Sequence, residues 1–114
     1  MKVMKQIDMQ VVNQKQAGKV GTYIGRPSPL GNPFVVGRDG TREEVIGKFR
    51  RYVWTEIQSE QGPVVEAING LTERAMKGEA IVLRCWCTPL ACHGEVIVQC
   101  IAWAVRELMK ENAA

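Results

Sequence analysis

Between Gln6 and Val12 the chain alternates, with Ile7, Met9 and Val11 apolar and Gln6, Asp8 and Gln10 polar. A period of two sends successive side chains to opposite faces of an extended chain and predicts a half-buried first strand. The polar stretch "NQKQAGK" is read as a loop. "VGTYIG" is read as a short second strand with Val20, Tyr23 and Ile24 as its apolar members. The loop does not decide whether these strands form a hairpin or lie apart. "RPSPLGNPFVVGRDG" then sets three prolines and three glycines among fifteen residues. Proline fixes φ and removes an amide donor, so neither a helix nor a central strand runs through this segment. A long, stiff loop, ordered around Leu30 and Phe34, is expected.

Thr41 and Glu44 have the spacing of a capping box. The helix they start carries Val45, Ile46, Phe49, Val53 and Ile57 on one face. Pro63 suits the first turn of a second helix, "PVVEAINGLTERAMK", which either runs through Gly70 or breaks there, and Gly78 ends it. "EAIVLRCWC" is a nearly continuous apolar run, the pattern of a central strand covered on both faces. "TPLACHG" turns the chain, and "EVIVQCIAWAVRELMK" predicts a last helix burying Val96, Ile97, Ile101, Ala104, Val105 and Leu108. The order β-β-α-α-β-α predicts a small α/β protein built on an open sheet. With 114 residues, no repeat and no linker, residues 1–114 read as a single domain.

Composition narrows the function classes. The 46% hydrophobic content supports a real core. The formal charge of +3 suits small anionic ligands but is too mild to predict wholesale nucleic-acid binding. Polar residues interrupt "MKVMKQIDMQVV" where a secretory signal would be apolar. No stretch approaches the roughly 20 apolar residues of a membrane span. The expectation is a cytoplasmic protein whose cysteines are reduced thiols.

Three constellations carry chemistry. "RCWCTPLACHGE" gathers Cys85, Cys87, Cys92 and the only histidine, His93, between a strand end and a helix start. Loops there are where ligands collect in open α/β sheets, and free amides at a helix start hold anions. A zinc set of Cys85, Cys87, Cys92 and His93 is opposed by the spacing, because adjacent Cys92 and His93 point apart at a helix start and two chelating knuckles are missing. No metal and no cofactor is expected. A nucleophilic Cys92, or Cys87, with His93 as base is the catalytic alternative. The strand–cysteine–loop–helix order is that of phosphatase and rhodanese loops, but those end in arginine where Cys87-x₅ reaches His93. Cys85 and Cys100 are read as core residues.

In "YIGRPSPLGNPF", Gly25 permits close backbone approach and Arg26 offers a fork for phosphate. Asn32, framed by Gly31 and Pro33, either reads a polar ligand edge or caps a turn. In "GRDGTREE" with "FRRY", Arg38 and Arg42 either reach a phosphate or belong to a solvated helix face, the plainer reading.

Together Tyr23-Ile24-Gly25-Arg26, Gly31-Asn32-Pro33-Phe34, Cys85-Trp86-Cys87, Pro89 and Cys92-His93-Gly94 resemble the pattern of the domain of unknown function family 4326, small proteins of bacteria and phages. The resemblance spans roughly Tyr23 to Ile101 and implies a Rossmann-like fold with both motifs on one side of the sheet. It supplies no activity.

The function expected first is binding of a small anionic, phosphorylated nucleotide-type ligand, an ADP-ribose-like signal among the options. Tyr23, Gly25, Arg26, Asn32, Pro33 and Phe34 would form one wall and Trp86, Cys87, Cys92, His93 and Gly94 the other. In a phage, such a protein would act as a sponge for immune-signalling nucleotides. The alternatives are a nucleotide or glycosyl hydrolase or transferase using Cys92 and His93, and an interaction module or homo-oligomer using Trp103 and Met109.

Overall fold

The computed structural model describes residues 7–88 and 90–113; Met1–Gln6, Pro89 and Ala114 lie outside, and with them Gln6 of the predicted strand and Pro89 of the predicted turn. Strand β1, Met9–Asn13, pairs in parallel with β3, Ile81–Cys85, from Met9 opposite Ile81 to Asn13 opposite Cys85. Strand β2, only Thr22–Tyr23, pairs in parallel with the other edge of β3. The sheet order β1-β3-β2 settles the hairpin question: the first two strands lie apart. The most apolar strand takes the centre, where both of its edges are paired.

Two local readings change. The polar loop after β1 contains a one-turn helix, α1, Gln14–Ala17, capped by the Asn13 side chain, which accepts from Lys15 N at 2.9 Å. Val20, read as part of β2, is exposed and precedes the strand.

Strand β3 is less enclosed than its apolar run implies. Ile81, Leu83 and Cys85 are buried, whereas Val82 and Arg84 are half-buried. The reason is Arg84 itself: its guanidinium leaves the core face and donates to Gly18 O at 2.8 Å and Gln14 Oε1 at 3.0 Å.

Helix α2, Arg42–Ser59, begins with the predicted box. Glu44 N donates to Thr41 Oγ1 at 3.2 Å, and Thr41 N donates to Glu44 Oε1 at 2.9 Å. Helix α3, Pro63–Met76, runs unbroken through Gly70, which faces solvent and so gives up no packing. Gly78, at φ +87°, ends it by adopting a conformation that costs other residues steric strain.

Helix α4 spans Gly94–Ala113. Helices α3 and α4 lie on the strands and α2 packs against both. Phe49 and Val53, Ile68 and Leu71, and Ile97, Ile101 and Val105 meet Ile81 and Leu83 in one core. Cys100 joins this core, while Leu108, predicted inward, is exposed and Ala104 only half-buried. Trp103 keeps an exposed edge but sets its ring edge-on to Trp54 at 5.0 Å. The result is an α/β protein with an open parallel sheet of Rossmann-like type. Among the described residues no helix is long and apolar enough to cross a membrane.

The capping box predicts a specific weakness. Thr41→Ala should cost about 1 kcal/mol in urea denaturation, the usual effect of losing such a cap. The Thr41 backbone N–H, and then its hydroxyl, hold the Glu44 carboxyl below its ordinary pKa. A lowered folded-state pKa means the contribution is complete above the ordinary glutamate range and disappears as pH falls through the lowered value. Stability measured from pH 7 downward should therefore show an acid-dependent loss that is smaller in Thr41→Ala.

Candidate functional site

Strands β2 and β3 end side by side, and the chain leaves them as Gly25–Arg26 and Trp86–Cys87. Two hydrogen bonds join these exits. His93, 6% exposed, lies 2.8 Å through Nε2 from the carbonyl oxygen of Ile24. A carbonyl only accepts, so in the neutral ring Nε2 carries the proton and Nδ1 is bare. Burial lowers the imidazole pKa, opposed by the bond to Ile24. Phe49 meets the ring edge-on at 5.0 Å. At the surface, Trp86 Nε1 donates to the Tyr23 hydroxyl at 3.1 Å, and that hydroxyl donates to Arg26 O at 2.9 Å.

Between the loops lies a cleft of about 290 Å³. The first predicted wall contributes Tyr23, Gly25, Arg26, Asn32 and Phe34, and the second Trp86, Cys87 and His93. Pro33, Cys92 and Gly94 are not among the lining residues. Cys85, assigned to the core, is 1% exposed yet also borders the cleft. The predicted walls omitted Val36, Val45, Ile46 and Ala91, and Arg42, read as a solvated helix residue in preference to a phosphate contact, also borders the cleft. Arg42 sits at the first residue of α2 and donates through Nη1 to Ala91 O at 3.3 Å, spanning from α2 to the loop before α4. Its apparent companion Arg38 instead pairs with Asp39 at 2.8 Å and donates to Pro33 O, so only one of the two arginines reaches the cleft.

Several side chains are engaged inside the fold, Asn32 in the turn-capping role that was one of its two readings. A Cβ on Gly25 would overlap the Tyr23 phenol, so this glycine admits Tyr23 to its position at the rim. Asn32 accepts from Phe34 N at 2.9 Å and donates to Val45 O at 3.3 Å, which engages both ends of its amide in the fold. A Cβ on Gly94 would meet Val11 at 2.9 Å and Ile24 at 3.0 Å, so its role is close packing of α4 on the strands. The first amides of α4 also have partners inside the protein. Gly94 N donates to Cys92 Sγ at 3.3 Å, Glu95 N to Cys92 O at 3.2 Å and Val96 N to His93 O at 3.0 Å. Helix-start amides are thus replaced by Arg26 and Arg42 as the cleft's positive groups.

The sulfurs of Cys85, Cys87 and Cys92 all lie within 4.8 Å of one another, with Cys85 and Cys92 2.9 Å apart. The thiols of Cys87 and Cys92 point at Cys85 and, with the backbone amides of Thr88 and Cys87, hold its pKa well below the ordinary thiol value. The Cys92 proton is held by Cys85, and its pKa is raised. Cys92 is buried and lies away from the cleft surface. Of the two cysteines weighed as a nucleophile, Cys87 borders the cleft and Cys92 does not.

If the buried bridge joins the two loops, His93→Ala should be far more damaging than Trp86→Phe. The first leaves the Ile24 carbonyl unpaired and a hole beside Phe49, for roughly 2–4 kcal/mol. The second removes one rim hydrogen bond, for about 0.5–1 kcal/mol. Urea denaturation of both variants measures the contrast; equal losses would show that the rim contact holds the loops as firmly as the buried one.

No curated protein matches the chain, and no solved structure does. The sequence profile of the family described as "Domain of unknown function (DUF4326)" matches residues 7–103, which take in all three strands and both walls of the cleft. The chain belongs to the DUF4326 family.

Proposed function

We propose that the cleft binds a small phosphorylated ligand of the nucleotide type. The observation that carries this reading is Trp86, a large apolar ring left 57% exposed on the wall of a cleft whose other walls bring Arg26 and Arg42. Exposed tryptophan is expensive in contact with water, and here its indole N–H is already tied to Tyr23, which fixes the ring in place. A fixed aromatic plate supports stacking of a planar base without loss of side-chain freedom at the moment of binding. Two guanidinium groups supply forked donors for phosphate oxygens. Phe34, Val36 and Ile46 give the cleft an apolar wall between plate and cations. Its volume lies at the small end of ligand sites, which suits one nucleotide unit better than a polymer.

Calorimetry on the reduced full chain with AMP, ADP, ADP-ribose, adenosine and inorganic phosphate tests this. The nucleotides should bind more tightly than either adenosine or phosphate alone, and more weakly as salt rises. Trp86→Ala should weaken nucleotide binding by roughly 5- to 150-fold, the range for losing one base–aromatic stack. Arg26→Ala and Arg42→Ala should each weaken it and flatten the salt dependence. Recovery of the ligand with unchanged mass separates binding from turnover. The proposal fails if none of the nucleotides binds, or if Trp86→Ala binds them as the wild type does.

A further inference from the structure

The cluster of three sulfurs, two of whose residues border the cleft, is unexplained by the nucleotide reading. Four free cysteines are present, and Cys100 shows what a packing cysteine is like here: it is buried in the core and takes no part in the cluster. Cys85, Cys87 and Cys92 instead converge from two separate pieces of chain. Cys85 ends β3 and Cys87 follows two residues later, while Cys92 returns from the turn that leads into α4. The returning segment is fixed by the buried His93–Ile24 hydrogen bond one residue further on. The trio is thus held before any ligand arrives.

We propose that Cys85, Cys87 and Cys92 form a binding site for a soft divalent cation of the zinc class, with its fourth position turned to the cleft. Zinc–sulfur bonds of about 2.3 Å place tetrahedral sulfurs about 3.8 Å apart, so the trio needs adjustments of about an ångström or less to close on an ion. Sulfur ligands select zinc and similar soft ions, and the trio includes no carboxylate to favour magnesium or calcium. Cys85 and Cys87 both border the cleft, which directs the open side of the site there. His93 is not part of the trio, although its Nδ1 lies 3.5 Å from Cys92 Sγ. Three protein ligands with one open position is the arrangement of sites that bind water or substrate, in contrast to closed structural knuckles. On binding, each coordinating sulfur that still carries a proton releases it to solvent. Three thiolates and a dication carry a net negative charge, which Arg26 and Arg42 on the same cleft walls offset. The site stands independently of whether a nucleotide binds above it.

Cobalt(II) is the probe. The reduced, chelator-treated full chain, titrated with cobalt under anaerobic conditions, should develop thiolate-to-cobalt charge-transfer absorption that saturates at one equivalent. One equivalent of zinc should abolish it. Cys87 is half-buried, so Cys87→Ser should keep its circular dichroism spectrum while losing the band. Cys100→Ala should keep the band, which ties the signal to the trio. Absence of the band in the wild type, or its persistence in folded Cys87→Ser, would overturn the assignment.

Discussion

One buried hydrogen bond organises this molecule, from His93 Nε2 to the carbonyl of Ile24. Ile24 is fully buried, at the end of a strand only two residues long. Its amide reaches Arg84 O in the neighbouring strand, which leaves its carbonyl to find another partner. A buried carbonyl without one would cost about 1–3 kcal/mol. The imidazole supplies the missing donor from a different part of the chain. It thereby sets the distance between the loop that leaves β2 and the segment that enters α4.

Much of the local geometry follows from that attachment. With His93 fixed, Gly94 falls against Val11 and Ile24, where a side chain would not fit. Cys92 is turned inward beside Cys85, and its backbone and sulfur satisfy the first amides of α4. A helix start whose amides are already satisfied has little left to offer an anion. The charge available to a ligand accordingly comes from Arg26 and Arg42, side chains that reach the cleft from two other segments.

The sequence made visible those features that depend on near neighbours. The alternation of Ile7, Met9 and Val11, the Thr41–Glu44 box and the apolar face led by Val45, Phe49 and Val53 are written within a few residues each. Sheet order was not, because β3 enters between β1 and β2 from some sixty residues away and parallel pairing leaves no hairpin signature. Arg84 interrupted the apolar run of β3 in plain sight, yet its meaning depended on Gln14 and Gly18, distant acceptors near α1. Both motif walls of the cleft were legible, but the division of roles within them was not. Asn32 and Gly25 have the residue types of ligand contacts, and only the folded structure reveals that Val45, Phe34 and Tyr23 already engage them.

The thiol trio shows the same limit from the other side. Rules for zinc spacing describe pairs of ligands carried by one tight knuckle, and Cys85-x-Cys87-x₄-Cys92 does not fit them. Here convergence comes from a strand end and a returning segment, so the relevant spacing is spatial. Within the same motifs, some side chains are held by partners inside the protein while others carry the groups of the proposed binding site. Tyr23, Asn32, His93 and the glycines build the frame. Trp86, Arg26, Arg42, Cys85 and Cys87 also border the cleft and carry the proposed binding groups. A planar anionic ligand and a soft cation would share one cleft on these terms, the first along its walls and the second beside Cys85 and Cys87.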